Sequence, residues 1–207
     1  MGAGSGDAVV TPCPQYHPSL NQRVTMAFET ISSETSYQGK VFDVRRDQIR
    51  LPNGKSVSLD IVEHPGAVTL VPIDEQGQVW FVRQYRYAAQ VELLELPAGS
   101  LDKGESPQAC ALREVREEIG MAAGQLQKVG EFFLAPGYST EYMYVYLATN
   151  LRPDPLEADA DEFLTVESVP ADQAYKMAES GQIQDGKTLA ALYLARPRLV
   201  KMGVLQG

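Results

Sequence analysis

The sequence is poor in the features that anchor proteins outside the cytoplasm or onto nucleic acid. Its 207 residues include two cysteines, Cys13 and Cys110. That is too few for a disulfide framework, and a domain of this size buries roughly 70% of its unfolded surface without one. Both cysteines therefore read as reduced thiols. No apolar run approaches the roughly 18 residues needed to cross a membrane. The opening Met1-Gly-Ala-Gly-Ser-Gly6 has neither the basic nor the apolar region of a secretion signal, and it lacks the Ser or Thr at position 6 of a myristoylation signal. Positive charge is also in deficit: 18 Lys+Arg stand against 27 Asp+Glu, a net charge of −9. That balance excludes nonspecific nucleic-acid binding, which rests on a basic surface. Internal repeats and low-complexity tracts are missing too. These absences predict a cytoplasmic protein with no membrane and no nucleic-acid partner.

What remains is globular in composition, 44% hydrophobic and 22% charged. Residues 1 to about 20 have little periodicity and read as a loosely docked terminus. From Ser36 the pattern is β-like: Lys40 to Arg46 alternates, Asp47 to Leu51 follows, and Pro52-Asn53-Gly54 signals a hairpin before Ser56 to Val62. Three such strands are too few to hide a core, so this part must pack on the rest of the chain or on a second subunit. After His64-Pro65-Gly66, the runs Ala67 to Ile73 and Val79 to Val82 are apolar almost throughout, as in strands covered on both faces, with a hairpin expected at Asp74 to Gly77. A helix is predicted over Pro107 to Ile119. Strands follow near 130–134, 142–149 and 163–168, and two helices close the chain near 171–179 and 186–195. The expected class is α/β (α+β), a mixed sheet sandwiched between helices, with a small antiparallel β subdomain over residues 1–62 and a main domain over 63–207.

The central helix carries the chemistry. Ser106 is a plausible N-cap, Pro107 suits the first helical position, and Gly120 suits the left-handed residue that ends the helix. Leu112, Val115 and Ile119 are expected to form one buried stripe, with Glu114, Glu117 and Glu118 on an adjoining face. Three carboxylates at this spacing repel one another and lie at the end of the helix where the macrodipole is also negative. A hard divalent cation, Mg²⁺ or Mn²⁺, removes both problems.

The order Gly99, five residues, Glu105, seven residues, Arg113-Glu114-Val115-Arg116-Glu117-Glu118-Ile119-Gly120-Met121 resembles the complete Nudix box. Val82 to Tyr87, Leu94 to Gly99, Pro136, Asp161-Glu162-Phe163 and Gly181 to Thr188 resemble segments of its ADP-ribose pyrophosphatase branch. The resemblance implies water attack on a nucleoside diphosphate sugar, most simply ADP-ribose, giving AMP and ribose 5-phosphate; an ADP- or GDP-sugar and a non-catalytic ligand sensor are the alternatives. It implies Glu114, Glu117, Glu118 and the Ala98 carbonyl as metal ligands, with Glu105 and Arg113 as the pair that orients them. It places the general base on the acidic loop Asp159, Asp161, Glu162, with Glu162 preferred. Arg86 resembles the arginine that holds the diphosphate or terminal ribose, and Arg83 and His64 are further candidates for substrate contact. Phe28, Tyr37 and Phe42 are candidates to stack on the base, some of them donated by the partner of a homodimer, although burial in the core is the expectation for any single one. Cys110 reads as packing.

Overall fold

The computed structural model describes residues 28–157 and 163–206. Three antiparallel strands come first, β1 (Glu29–Gln38), β2 (Asp43–Arg50) and β3 (Ser56–Glu63), in the order β1-β2-β3. The expected hairpin at Pro52 to Gly54 joins β2 and β3, with the Leu51 N–H donating to the Lys55 carbonyl at 2.8 Å and Gly54 at φ 84°. The two runs flanking Asp47 form one continuous strand. The third strand is β1, which begins well before Ser36. Its sequence, Glu-Thr-Ile-Ser-Ser-Glu-Thr-Ser-Tyr-Gln, has no apolar alternation because all ten residues are exposed.

The main body holds β4 (Ala67–Pro72), β5 (Gln78–Arg86), β6 (Val91–Glu95), β7 (Ala98–Ser100), α1 (Pro107–Ile119), β8 (Met121–Phe133), β9 (Tyr142–Pro153), β10 (Leu164–Pro170), α2 (Ala171–Glu179) and α3 (Gly186–Lys201). One sheet runs β7-β4-β9-β8, with β4 and β9 parallel and the other pairs antiparallel. A second, antiparallel sheet runs β10-β5-β6. The sheet is mixed, as expected. At Asp74 to Gly77 the expected hairpin is only a turn. The Asp74 carboxylate accepts the N–H groups of Gln76 and Gln78 and the Trp80 indole, Ile73 bridges Val79, and then β4 and β5 part into different sheets.

Helices cover both sides. Val68, Leu70, Val82 and Tyr146 pack with Cys110, Ala111, Val115 and Ile119 of α1. Val71, Phe81, Leu96 and Leu147 pack with Ala174 of α2 and Leu192, Ala195 and Leu199 of α3. All six residues of β4 are buried, which its unbroken apolar run anticipates. The last helix runs past the expected stop at Ala195 and through Pro197 to Lys201. Leu199 is fully buried, and its packing offsets the hydrogen bond that proline removes.

Candidate functional site

The box helix starts and stops where its sequence says. The Ser106 hydroxyl accepts the Ala109 N–H at 3.2 Å, and Gly120 stands at φ 69° with its N–H donating to the Val115 carbonyl. The buried face differs from the expected stripe. Leu112 is exposed, and the stripe steps by four through Ala111, Val115 and Ile119, with Cys110, Glu114 and Glu118 buried beside it. Two carboxylates thus lie against the sheet. Burying them is costly unless hydrogen bonds and opposite charge compensate.

Arg113 and the chain at β7 provide that compensation. Arg113 Nη1 donates to Glu114 Oε1 at 2.6 Å and to Glu117 Oε2 at 2.8 Å. Its Nε and Nη2 donate to the two Glu105 oxygens at 3.1 and 3.0 Å, and Nη2 also reaches the Ser100 carbonyl at 3.3 Å. Glu105 in turn accepts the Asp102 N–H. The arginine's hydrogen bonds hold the Glu105 carboxyl below the usual range, and those it gives to Glu105 and Glu117 make Arg113 still harder to deprotonate. Glu118 accepts the Ala98 N–H at 3.0 Å. Gly99 is required here, since a Cβ would fall 1.8 Å from Glu114 Oε1. The Cys110 thiol lies 3.5 Å from the Ser100 carbonyl; burial, then the Glu114 charge, push its pKa far up, which fits a packing role.

These groups border a cavity of about 470 Å³, on whose walls stand Gly99, Glu114, Glu117 and Gln84 together with Lys40 and Val41 of the β1–β2 turn. In the sequence pattern Lys40 and Val41 stand only at the start of a strand. The turn is fixed by Gly39, where a Cβ would meet the Phe42 carbonyl oxygen at 2.6 Å and whose N–H donates to Asp43 at 3.1 Å. Gly39 was the available signal. Phe28, Tyr37 and Phe42 are all exposed rather than core.

The candidate substrate residues divide. Successive strand residues point to opposite faces, so Arg86 shares a face with the cavity residue Gln84, and Arg83 lies on the other. Arg83 pairs with Glu167 through Nε at 2.6 Å and Nη2 at 3.1 Å, across β5 and β10. Arg86 makes a two-pronged pair with Glu95, through Nε at 2.7 Å and Nη2 at 2.6 Å. Glu95 also accepts from Lys187, which donates to Asp185 at 3.0 Å. Burial alone would raise the Glu95 pKa, but the bonds from Arg86 and the nearby Lys187 outweigh it and hold the carboxyl below its ordinary range. Nothing local in the sequence singles out Glu95 or Lys187 for this role. His64 accepts the Gly66 N–H at Nδ1, 3.1 Å, and faces the Ser100 hydroxyl at Nε2, 3.3 Å, so both ring nitrogens are engaged beside the box loop. Burial lowers its pKa, offset in part by Glu141. Glu162, Asp161 and Asp159 lie outside the described residues.

The acids offer hard oxygen donors, and the missing Cβ at Gly99 lets the Glu114 carboxylate lie against β7, so the donor set suits a hard divalent cation. Among the described residues no three acidic, cysteine or histidine side chains already converge as a metal cage; the Arg113 guanidinium stands among the carboxylates instead.

Comparison with known proteins agrees with this geometry. Residues 63–192 match the NUDIX domain, and residues 28–59 match the nucleoside diphosphate sugar hydrolase N-terminal domain. An ADP-ribose pyrophosphatase of Bacillus subtilis (strain 168) is 39% identical over 166 residues, 79% of this chain and 90% of that protein. An ADP-ribose pyrophosphatase of Mycobacterium tuberculosis (strain ATCC 25618 / H37Rv) is 42% identical over 170 residues, 80% of this chain and 81% of that one. A solved structure described as an ADP compounds hydrolase superposes with a TM-score of 0.78 at 25% identity, covering 89% of this chain and all of the other. With a complete box, a box helix that buries two of its glutamates against β7, and these relatives, the chain belongs to the Nudix family.

Proposed function

We propose that this Nudix hydrolase cleaves the diphosphate of ADP-ribose to AMP and ribose 5-phosphate with Mg²⁺ or Mn²⁺, and works as a homodimer. The observation that carries the reading is the pair of buried acids, Glu114 against Gly99 and Glu118 on the Ala98 N–H, with Glu114 at the wall of a cavity of about 470 Å³. The similarity to two ADP-ribose pyrophosphatases supports the choice of sugar. Glu114, Glu117, Glu118 and the Ala98 carbonyl would hold the metal, which neutralises the diphosphate, polarises its P–O bonds and lowers the pKa of a bound water. Arg113 and Glu105 fix the directions of the ligand carboxylates, the task of groups that hydrogen-bond to ligands. Arg86, whose fork is taken by Glu95, offers phosphate oxygens the Nη1 edge of its guanidinium. In the reaction a water oxygen bonds to one phosphorus, the bond from that phosphorus to the bridging oxygen breaks, and the water's proton passes to Glu162, the proposed base. The exposed apolar side chains of the N-terminal sheet give the dimer its contact surface.

The test is product analysis on ADP-ribose, an ADP-sugar, a GDP-sugar and NADH, with and without Mg²⁺ after chelation. ADP-ribose turnover that vanishes on chelation, returns with Mg²⁺ and falls by orders of magnitude in a folded Glu118→Gln variant supports the reading. Undiminished turnover in metal-free buffer overturns the metal assignment, and preference for a GDP-sugar overturns the substrate. Glu162→Gln should lower kcat by roughly 10²–10⁴ with KM near wild type, and Asp159→Asn should do little. Normal kcat in Glu162→Gln moves the base elsewhere.

A further inference from the structure

We infer that Glu95 is a positioning residue for substrate binding: it holds the Arg86 guanidinium toward the diphosphate, and Lys187 of the C-terminal helix holds Glu95 in turn. The inference rests on the reading that the substrate is a nucleoside diphosphate sugar. It starts from a chain of four alternating charges, Arg86, Glu95, Lys187 and Asp185. Side-chain exposure falls to 1% at Glu95 and 10% at Lys187, against 43% at Arg86. The chain therefore opens to solvent mainly at its guanidinium end. Burying an ion pair is a weak way to stabilise a fold, because desolvation consumes most of the attraction. It is an effective way to fix a direction.

The geometry of the fork sets that direction. Glu95 occupies Nε and Nη2 of Arg86, so the Nη1 edge is the one turned away from the pair. The hydrogen bonds to Glu95 raise the affinity of Arg86 for protons, and the charge of Glu118, a buried acid of the box helix, adds a smaller share. Gln84, two residues earlier on the same strand face, already lines the cavity. At the other end, Asp185 accepts from Thr188 through its N–H at 2.9 Å and its hydroxyl at 2.6 Å. The Thr188 hydroxyl also accepts the Leu96 N–H at 2.8 Å. The start of α3 is thus tied to the strand that leads into Pro97, Ala98 and Gly99. A guanidinium set in advance loses less freedom when phosphate arrives than a mobile one.

Steady-state kinetics on ADP-ribose with Mg²⁺, alongside thermal melting, test this. Glu95→Gln removes the charge that draws the fork; KM should rise about tenfold while kcat stays within about threefold. Arg86→Lys keeps the charge and loses the fork, with a similar result. Since both remove one device, the double variant should be no worse than the poorer single one. A folded Glu95→Gln with wild-type KM overturns the inference, and so do effects that multiply in the double variant. If Glu95→Gln does not fold, Lys187→Met carries the test. It leaves the Arg86–Glu95 pair but removes its inner anchor, so KM should rise about threefold, and not at all when Arg86 is already lysine. An unchanged KM in folded Lys187→Met overturns it. Absence of any wild-type turnover of nucleotide sugars removes the substrate reading and this inference together, whereas normal wild-type turnover with unchanged KM in the variants removes this inference alone.

Discussion

At the scale of single residues, the most exacting position is Gly99. A methyl group there would lie 1.8 Å from Glu114 Oε1, so either the carboxylate swings away or β7 shifts. Gly99→Ala should cost about 1–3 kcal/mol of stability, as overpacking does, and turnover should fall at least tenfold because Glu114 is displaced. Melting curves and kcat check this; an alanine variant with wild-type turnover would show that Glu114 need not stay where it is. His64 makes a second prediction, through pH. Burial holds its folded pKa below the ordinary value of about 6.5, and its Nδ1 must stay unprotonated to accept from Gly66. The unfolded chain then takes up a proton at a pH where the folded one resists it. The stability tied to His64 is complete above about 6.5 and is lost as pH falls toward the lower folded value. The melting temperature should drop between pH 7.5 and 5.5, and drop less in His64→Gln. Which residues were legible follows the same physics. Gly99, Glu105, Arg113 and the three box glutamates stand at fixed spacings along one segment, so sequence alone singles them out. Glu95 and Lys187 are 92 residues apart and meet only through the packing of α3, which no local pattern records.

At the scale of elements, helix starts were legible because capping is local chemistry. Ser106 and Asp185 both accept the N–H three residues on, at 3.2 and 2.9 Å. Their importance should differ. Ser106 is reached by one backbone donor, whereas Asp185 also accepts the Thr188 hydroxyl and the Lys187 ammonium. Ser106→Ala should therefore cost about 1 kcal/mol, and Asp185→Ala more than that, because removing it also leaves a buried lysine with one fewer counter-charge. Urea denaturation of the two variants decides; equal losses would mean that Lys187 is satisfied by Glu95 alone. The misread elements have physical causes too. A three-residue step that suits a helix places Leu112 in the core, but the sheet is met by the four-residue row through Val115, and the buried acids Glu114 and Glu118 share that side. The strand β1 was invisible because a fully exposed strand has no alternation to read. The stop expected before Pro197 followed a sound local rule, and the packing of Leu199 overrode it.

At the scale of the whole molecule, the N-terminal sheet is the part that the other described residues leave open. Its outer strand exposes all ten residues, and an uncovered edge is a template for pairing with another chain. Phe28, Ile31, Tyr37, Phe42 and Leu59 are all exposed on or beside it. Yet the turn that follows β1 brings Lys40 and Val41 to the wall of the cavity that Glu114 and Glu117 also line, so the sheet is not a detached handle. Closed two-fold dimers are the commonest oligomers, and a second copy would cover this apolar surface without creating new edges. Sedimentation at micromolar concentration should then give twice the chain mass of 22.7 kDa. Leu59→Glu puts a charge on the exposed side of β3 and touches no residue of the box, so it should shift the protein toward monomer. If assembly serves catalysis, KM should rise with dissociation while the residual monomer keeps its fold. A Leu59→Glu variant that becomes monomeric with unchanged kinetics would make the dimer a matter of stability alone. A wild-type monomer at micromolar concentration would remove the dimer, leaving Lys40 and Val41 as the contribution of the sheet within a single chain.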